Sequence, residues 1–213
     1  MPTDQTLARL TKLHYRLTSS DDATKQKALK KTDKLGYEPV SIKRGITHYR
    51  SKDPNDLHSV ISLKGTSLPN RKDIVSDLKL AVGMEGSDRQ FQNRTKQIKQ
   101  IYAKTPESKY LTGHSLGSSS LTYALATSPS ILENTKRAAA FATGYTPFFH
   151  KSIAKDAKVV KAVNKKLTHY HALGDPISSS LKDAAVGRVK VVEPKLNDPH
   201  TISNFTDQAG DDE

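Results

Sequence analysis

The residues whose types and spacing could do chemistry lie at Gly113-His114-Ser115-Leu116-Gly117. A short apolar run, Tyr110-Leu111-Thr112, leads into them, and a stretch with helical character, Leu116 to Thr127, follows. A serine between two glycines at the junction of a strand and a helix is the pattern of a nucleophile elbow, G-x-S-x-G. The reason is steric. A tight turn holds the serine backbone in a strained conformation and exposes its hydroxyl. The positions two before and two after it then crowd together and must be nearly free of side chain. A hydroxyl is a weak nucleophile at neutral pH. It needs a base within hydrogen-bond reach, and the base needs an acid to hold its tautomer.

With this elbow, the expected chain order is serine, then Asp or Glu, then histidine. The acid favoured is Asp175, in Gly174-Asp175-Pro176, where an apolar strand gives way to a loop. Asp156 falls in a lysine-rich helix and reads as solvated. Asp183 is an alternative in a helical or irregular stretch, and Asp198 lacks a clear strand leading into it. Of eight histidines, only His200, in Asn197-Asp198-Pro199-His200, follows Asp175. The arrangement also calls for two backbone donors to a developing oxyanion. One is the N–H of Leu116. The other is the N–H of Thr66, in the strand-ending turn Lys64-Gly65-Thr66, where glycine permits close approach of the backbone. His114 is expected to pack. His169 and His171 share a strand face, but no third ligand accompanies them, so neither a metal nor another cofactor is expected.

Strands alternating with helices must position these groups. Residues 5–34 read as helix, with Leu7, Leu10, Leu13 and Leu17 in one stripe and a break at Ser19-Ser20-Asp21-Asp22. Tyr37 to Ile42 and Ile46 to Tyr49 read as strands joined at Lys43-Arg44-Gly45, and His58 to Leu63 as a third. Asp73 to Leu78 suggests a helical turn and Arg89 to Lys104 a helix with Phe91, Ile98 and Ile101 on one side. After the elbow come a small-residue strand, Ala138 to Thr143, and an amphipathic helix over 151–166. Strands over Leu167–Leu173 and Val186–Val192 complete the series. The pattern predicts an α/β fold: a central, mostly parallel sheet with helices on both faces. The expected organisation is one domain: a helical N-terminal extension over 1–35, a core over 36–206 and a frayed acidic tail over 207–213.

The chain has 213 residues and no cysteine, which excludes disulfides and thiolate catalysis. No apolar run reaches the ~18 residues of a membrane span, and the first residues do not read as a secretory signal. The reading is therefore a cytoplasmic or assembly-associated protein. Lys and Arg number 34 against 22 acidic residues, a formal charge of +12. Such a surface attracts polyanions or anionic lipid, or serves solubility. Lysine dominance and few aromatics argue against single-stranded nucleic acid as partner. The composition leaves the oligomeric state open.

At these residues the chain resembles the class 3, fungal-lipase-like branch of the α/β-hydrolases. Val60 to Thr66 is similar to that family's strand and Arg-Gly-Thr turn, with Lys64 for the usual arginine. Asp73 to Leu78 resembles the segment that follows. Leu111 to Leu116 matches its Thr-Gly-His-Ser-Leu elbow, His169 to Ser178 its acid-bearing strand, and Pro199-His200 its last histidine. The resemblance covers residues 58–205. It implies a Ser115–Asp175–His200 triad, an oxyanion hole from Thr66 and Leu116, and hydrolysis of acylglycerol or phospholipid esters through an acyl-enzyme. The family's tryptophan after the oxyanion turn is missing, and the stretch between Leu78 and Arg89 has no counterpart of a long lid. Phe148 and Phe149, next to Lys155 and Lys158, would form a foot for an anionic membrane surface. The competing expectation is an idle hydrolase scaffold serving as a basic structural or membrane-binding component, for example of a viral particle.

Overall fold

A computed structural model of the chain describes residues 1–65, 85–144, 156–178 and 186–206, with side chains throughout except at 85–88. The helices are α1 (Asp4–Leu17), α2 (Asp22–Lys34), α3 (Glu85–Ala103), α4 (Leu116–Thr127), α5 (Pro129–Asn134) and α6 (Ala157–Lys166). The strands are β1 (Tyr37–Lys43), β2 (Ile46–Ser51), β3 (His58–Leu63), β4 (Ser108–His114), β5 (Thr135–Phe141), β6 (Leu167–Ala172) and β7 (Arg188–Val192). A 3₁₀ turn, Ile202–Phe205, follows. The strands form one sheet in chain order. β1, β2 and β3 pair antiparallel and β3 through β7 pair parallel, so this is an α/β fold as the alternation predicted.

Chain-order parallel strands have a consequence for packing. Crossovers of one hand between successive parallel neighbours all fall on the same face. On that face α3, α4, α5 and α6 bury Phe91, Ile98, Leu121, Ile131 and Val163 against Ile61, Leu111, Ala138 and Ala140. The other face would be bare. It is covered by α1, which lays Leu7, Leu10 and Leu13 over Val60, Tyr110, Ala139 and Phe141, together with Phe205 of the 3₁₀ turn. The period-2 alternation is plain: Val60 and Ile61, or Tyr110 and Leu111, point into opposite layers.

Local chemistry sets the element ends. Thr3 Oγ1 accepts from Thr6 N to cap α1, and Asp21 caps α2 by accepting from Thr24 N. The break between the two helices falls where the Ser-Ser-Asp-Asp run placed it. α1 ties into the sheet by hydrogen bonds as well. Thr11 and Thr112 hydroxyls meet at 2.7 Å, and His14 reaches Ser62 Oγ at 3.2 Å and the Lys43 carbonyl at 3.3 Å. The strand over Ala138–Thr143 begins earlier than its apolar residues suggest, at Thr135, because α5 feeds directly into it. Among the described residues no helix is long and apolar enough to cross a membrane. The helical turn expected at Asp73–Leu78 and the tail 207–213 lie outside the described residues.

Candidate active site

β4 ends at His114, and Ser115 opens α4 with φ 54° and ψ −126°. Positive φ is costly for a residue with a Cβ, and Ser115 is one of two such non-glycine residues described, Ala142 being the other. The turn is pinned by Ser115 N donating to the Phe141 carbonyl at 3.0 Å. The flanking glycines are required by contact. A Cβ at Gly113 would lie 2.8 Å from the Gly117 carbonyl carbon, and one at Gly117 only 2.1 Å from the Leu63 oxygen. A serine at a helix N-cap ordinarily accepts from an N–H of the first turn. Ser115 makes no such capping bond. Its hydroxyl instead meets His200 Nε2 at 3.1 Å.

His200 Nδ1 lies 3.0 Å from Asp175 Oδ2. The carboxylate can only accept, so Nδ1 carries the proton and Nε2 is left to accept from Ser115. Asp175 is held on every side. Gly174, at φ 79°, turns the chain off β6. Oδ1 accepts from Ile177 N at 2.9 Å, and Oδ2 accepts from the Ser178 hydroxyl at 2.6 Å. Burial by itself would raise the Asp175 carboxyl. The hydrogen bond and charge of His200, with the Ser178 and Ile177 donors, outweigh it and hold the group at about 2. The residue is buried and ionised through the neutral range.

A second chain of hydrogen bonds braces this arrangement. His114 Nε2 donates to the His200 carbonyl at 2.8 Å, and His114 Nδ1 accepts from the Tyr15 hydroxyl at 2.9 Å. The Tyr15 oxygen accepts in turn from Gly65 N at 3.0 Å. The carbonyl at one end and the amide at the other leave each proton a single place. Burial draws the His114 imidazole down to about 3 and pushes the Tyr15 phenol up to about 12, so both stay neutral and the chain persists. Asn204 completes the support. It donates to the Asp198 carbonyl and accepts from Lys195 N and Leu196 N, which holds the loop bearing His200.

The structure thus brings together Ser115, Asp175 and His200, with Gly113 and Gly117 beneath them. The Leu116 N–H stands at the first position of α4, where a helix leaves its N–H without an intrahelical partner. Thr66, Phe148, Phe149 and Lys155 lie outside the described residues, and Lys158 is exposed on α6. His169 gives its Nε2 proton to the Val186 carbonyl and accepts from Thr143 at Nδ1, an internal strut. Among the described residues no three of His, Cys, Asp or Glu converge as metal ligands. Sequence reasoning missed Tyr15 and gave His114 only a packing role. No local pattern marks either, because their partnership is made by α1 folding back across the sheet.

No family model matches the chain, and no curated protein matches it. Solved structures that are similar in part include these two. One is the histone deacetylase Clr3, with 11% identity and a TM-score of 0.49 over 89% of this chain and 38% of that one. The other is a lipase from Rhizopus microsporus var. chinensis, with 10% identity and a TM-score of 0.35 over 78% of this chain and 64% of that one. The chain spans less than two thirds of either protein's length, and likenesses this distant do not decide what it does.

Proposed function

We propose that the protein is a serine-dependent acyl hydrolase of the lipase and esterase type. One observation carries this reading: the uncapped, positive-φ Ser115 with its hydroxyl 3.1 Å from a histidine whose other nitrogen is 3.0 Å from a buried aspartate. In this reading His200 Nε2 takes the hydroxyl proton as Ser115 Oγ attacks the ester carbonyl carbon. The Leu116 N–H, with a second donor expected from Thr66, receives the developing oxyanion. His200 then protonates the departing alkoxide, leaving an acyl group on Ser115. A water repeats the sequence in the second half: His200 takes its proton, the carboxylic acid leaves, and Ser115 regains its hydrogen. Asp175 stays ionised throughout and stabilises the imidazolium.

The substrate class proposed from the resemblance is an acylglycerol or phospholipid ester. Short- and long-chain p-nitrophenyl esters test the reaction class against Ser115→Ala. The expected result is hydrolysis by the native protein and none above background by the variant. Equal rates, or no hydrolysis of any ester by the native protein, would return the chain to the idle-scaffold reading.

A further inference from the structure

Next to Ser115, on the far side of Gly65, lies a cavity of about 630 Å³ between the β1–β2 turn and α3. Its lining is cationic: Lys43 and Arg44 from the turn, Lys64 from the end of β3, and Arg89 and Arg94 from α3. Lys64 and Arg94 are more than nine-tenths buried. None of the five forms an ion pair among the described residues. Buried charge without a counter-charge is costly and is retained where something recovers the cost. Among the described residues these two are compensated only in part. Lys64 Nζ donates to Thr18 Oγ1 at 2.9 Å and rests 4.9 Å from the Tyr15 ring centre. Arg94 Nη1 donates to Ser120 Oγ at 3.0 Å.

Gly45 faces the rest of the Arg94 guanidinium, and a Cβ there would sit 3.5 Å from Nη2 and 3.7 Å from Nε, donors of the kind that a planar fork offers to an oxyanion. Neither Nη2 nor Nε is a sealed, partnerless atom. Gly65 is the partition between cavity and serine. A Cβ on it would lie 3.0 Å from Ser115 Cβ and 2.9 Å from the His114 carbonyl oxygen. Burial lowers the Arg94 guanidinium to about 10. Burial and then the neighbouring Arg44 charge draw the Lys64 ammonium below its ordinary value. Burial is the main cause for both, and the Arg94 guanidinium stays charged at neutral pH.

We propose that this cavity is a phosphate subsite, and that the esters cleaved at Ser115 carry a phosphate group that binds against Arg94, Lys64 and Arg44. The proposal rests on the hydrolase reading for its substrate, though not for the anion site itself. A phosphate suits the lining better than a carboxylate does. It offers more oxygens and up to two charges to cations that approach from a turn, a strand end and a helix. The cavity also exceeds one anion in size, which fits a phosphate carried on a larger molecule.

The test compares kcat/KM for dihexanoyl phosphatidic acid, as monomers, with that for dihexanoylglycerol, which has the same acyl chains and no phosphate. A second pair, an acetylated hexose and its phosphate, separates a lipid headgroup from a soluble phosphate ester. In at least one pair the phosphorylated ester should be preferred by about tenfold or more, the scale of one charge-assisted hydrogen bond. Lys43→Ser with Arg44→Ser, both exposed, should bring that ratio close to one. Lys27→Ser with Lys30→Ser removes the same charge from α2 and should keep the ratio. Arg94→Gln should act like the turn pair, with a thermal melt as its folding control. Equal rates on both members of both pairs, or an equal loss from the α2 control, would overturn the subsite.

Calorimetry with inorganic phosphate keeps the two readings apart. Phosphate binding that the turn pair abolishes, in a protein that cleaves no ester, would uphold the anion site and sink the hydrolase. Ser115-dependent cleavage without phosphate preference or phosphate binding would do the reverse.

Discussion

His200 lies in the loop after β7 and His169 lies within β6, and each is bonded through both ring nitrogens. They differ in what the partners permit. His169 must give its Nε2 proton to the Val186 carbonyl, which can never return one, and it is wholly buried. Its tautomer is locked. His14 and His114 are locked the same way, on the carbonyls of Lys43 and His200. His200 faces a carboxylate on one side and a hydroxyl on the other. That pair of neighbours lets Nε2 accept a proton while the new positive charge is stabilised in place. A buried histidine is common structural material, and the identity of its two partners separates a strut from a base.

The sharpest way to break this contrast is to remove the hydroxyl. Ser115→Ala should lower kcat for a p-nitrophenyl ester by about 10⁴-fold or more, with an unchanged thermal melt as the folding control. Next in size, Asp175→Asn keeps the shape but offers an amide to Nδ1, which favours the wrong tautomer. The expected loss in kcat is about 10³- to 10⁴-fold. A variant that retained a tenth of the activity would show that Asp175 is only a structural anchor.

The locked histidines make a prediction on stability. Burial, first among the causes, holds His14 and His114 at about 3, against 6.5 when unfolded. Between those values the unfolded chain binds more protons than the native one, so stability is full above pH 6.5 and is lost as the pH falls. Together the two should remove about 2.5 kcal/mol between pH 7 and 5.5, read from urea midpoints at the two values. Asp175 acts lower. Its depressed carboxyl contributes above the ordinary carboxylate range and loses that contribution as the pH falls toward 2. A flat profile between pH 7 and 5.5 would mean that the two histidines are not held neutral.

The smallest expected effect is on positioning. Tyr15→Phe removes the hydroxyl that links Gly65 N to His114. It should lower kcat roughly tenfold, the worth of one buried hydrogen bond, and leave KM within about twofold. A change confined to KM would place Tyr15 in substrate binding instead.

These effects also mark how far the residues could be read in the chain alone. The elbow was legible because its constraint is local: two glycines, a serine and a strand-to-helix change are all enforced within a few residues. Asp175 and His200 were legible by order, since each sits in a proline-framed turn and only one histidine follows that aspartate. The sheet was legible from its apolar runs, and β3 and α4 fall where the pattern put them. The brace through Tyr15 was not legible. Its partners His114 and Gly65 are distant in sequence, and α1 meets them only because chain-order strands leave one sheet face uncovered. The cationic cavity was hidden for the same reason. Lys43 and Arg44 read as an ordinary hairpin turn and Arg94 as one more helix residue, and the sheet brings them together.

Covalent labelling tests the central claim most directly. A fluorophosphonate reacts only with a serine whose proton a neighbouring base removes. Peptide mass spectrometry after incubation at neutral pH should find one adduct, on Ser115, and none there in His200→Ala. No adduct, or an adduct on Ser115 that survives loss of His200, would contradict the account.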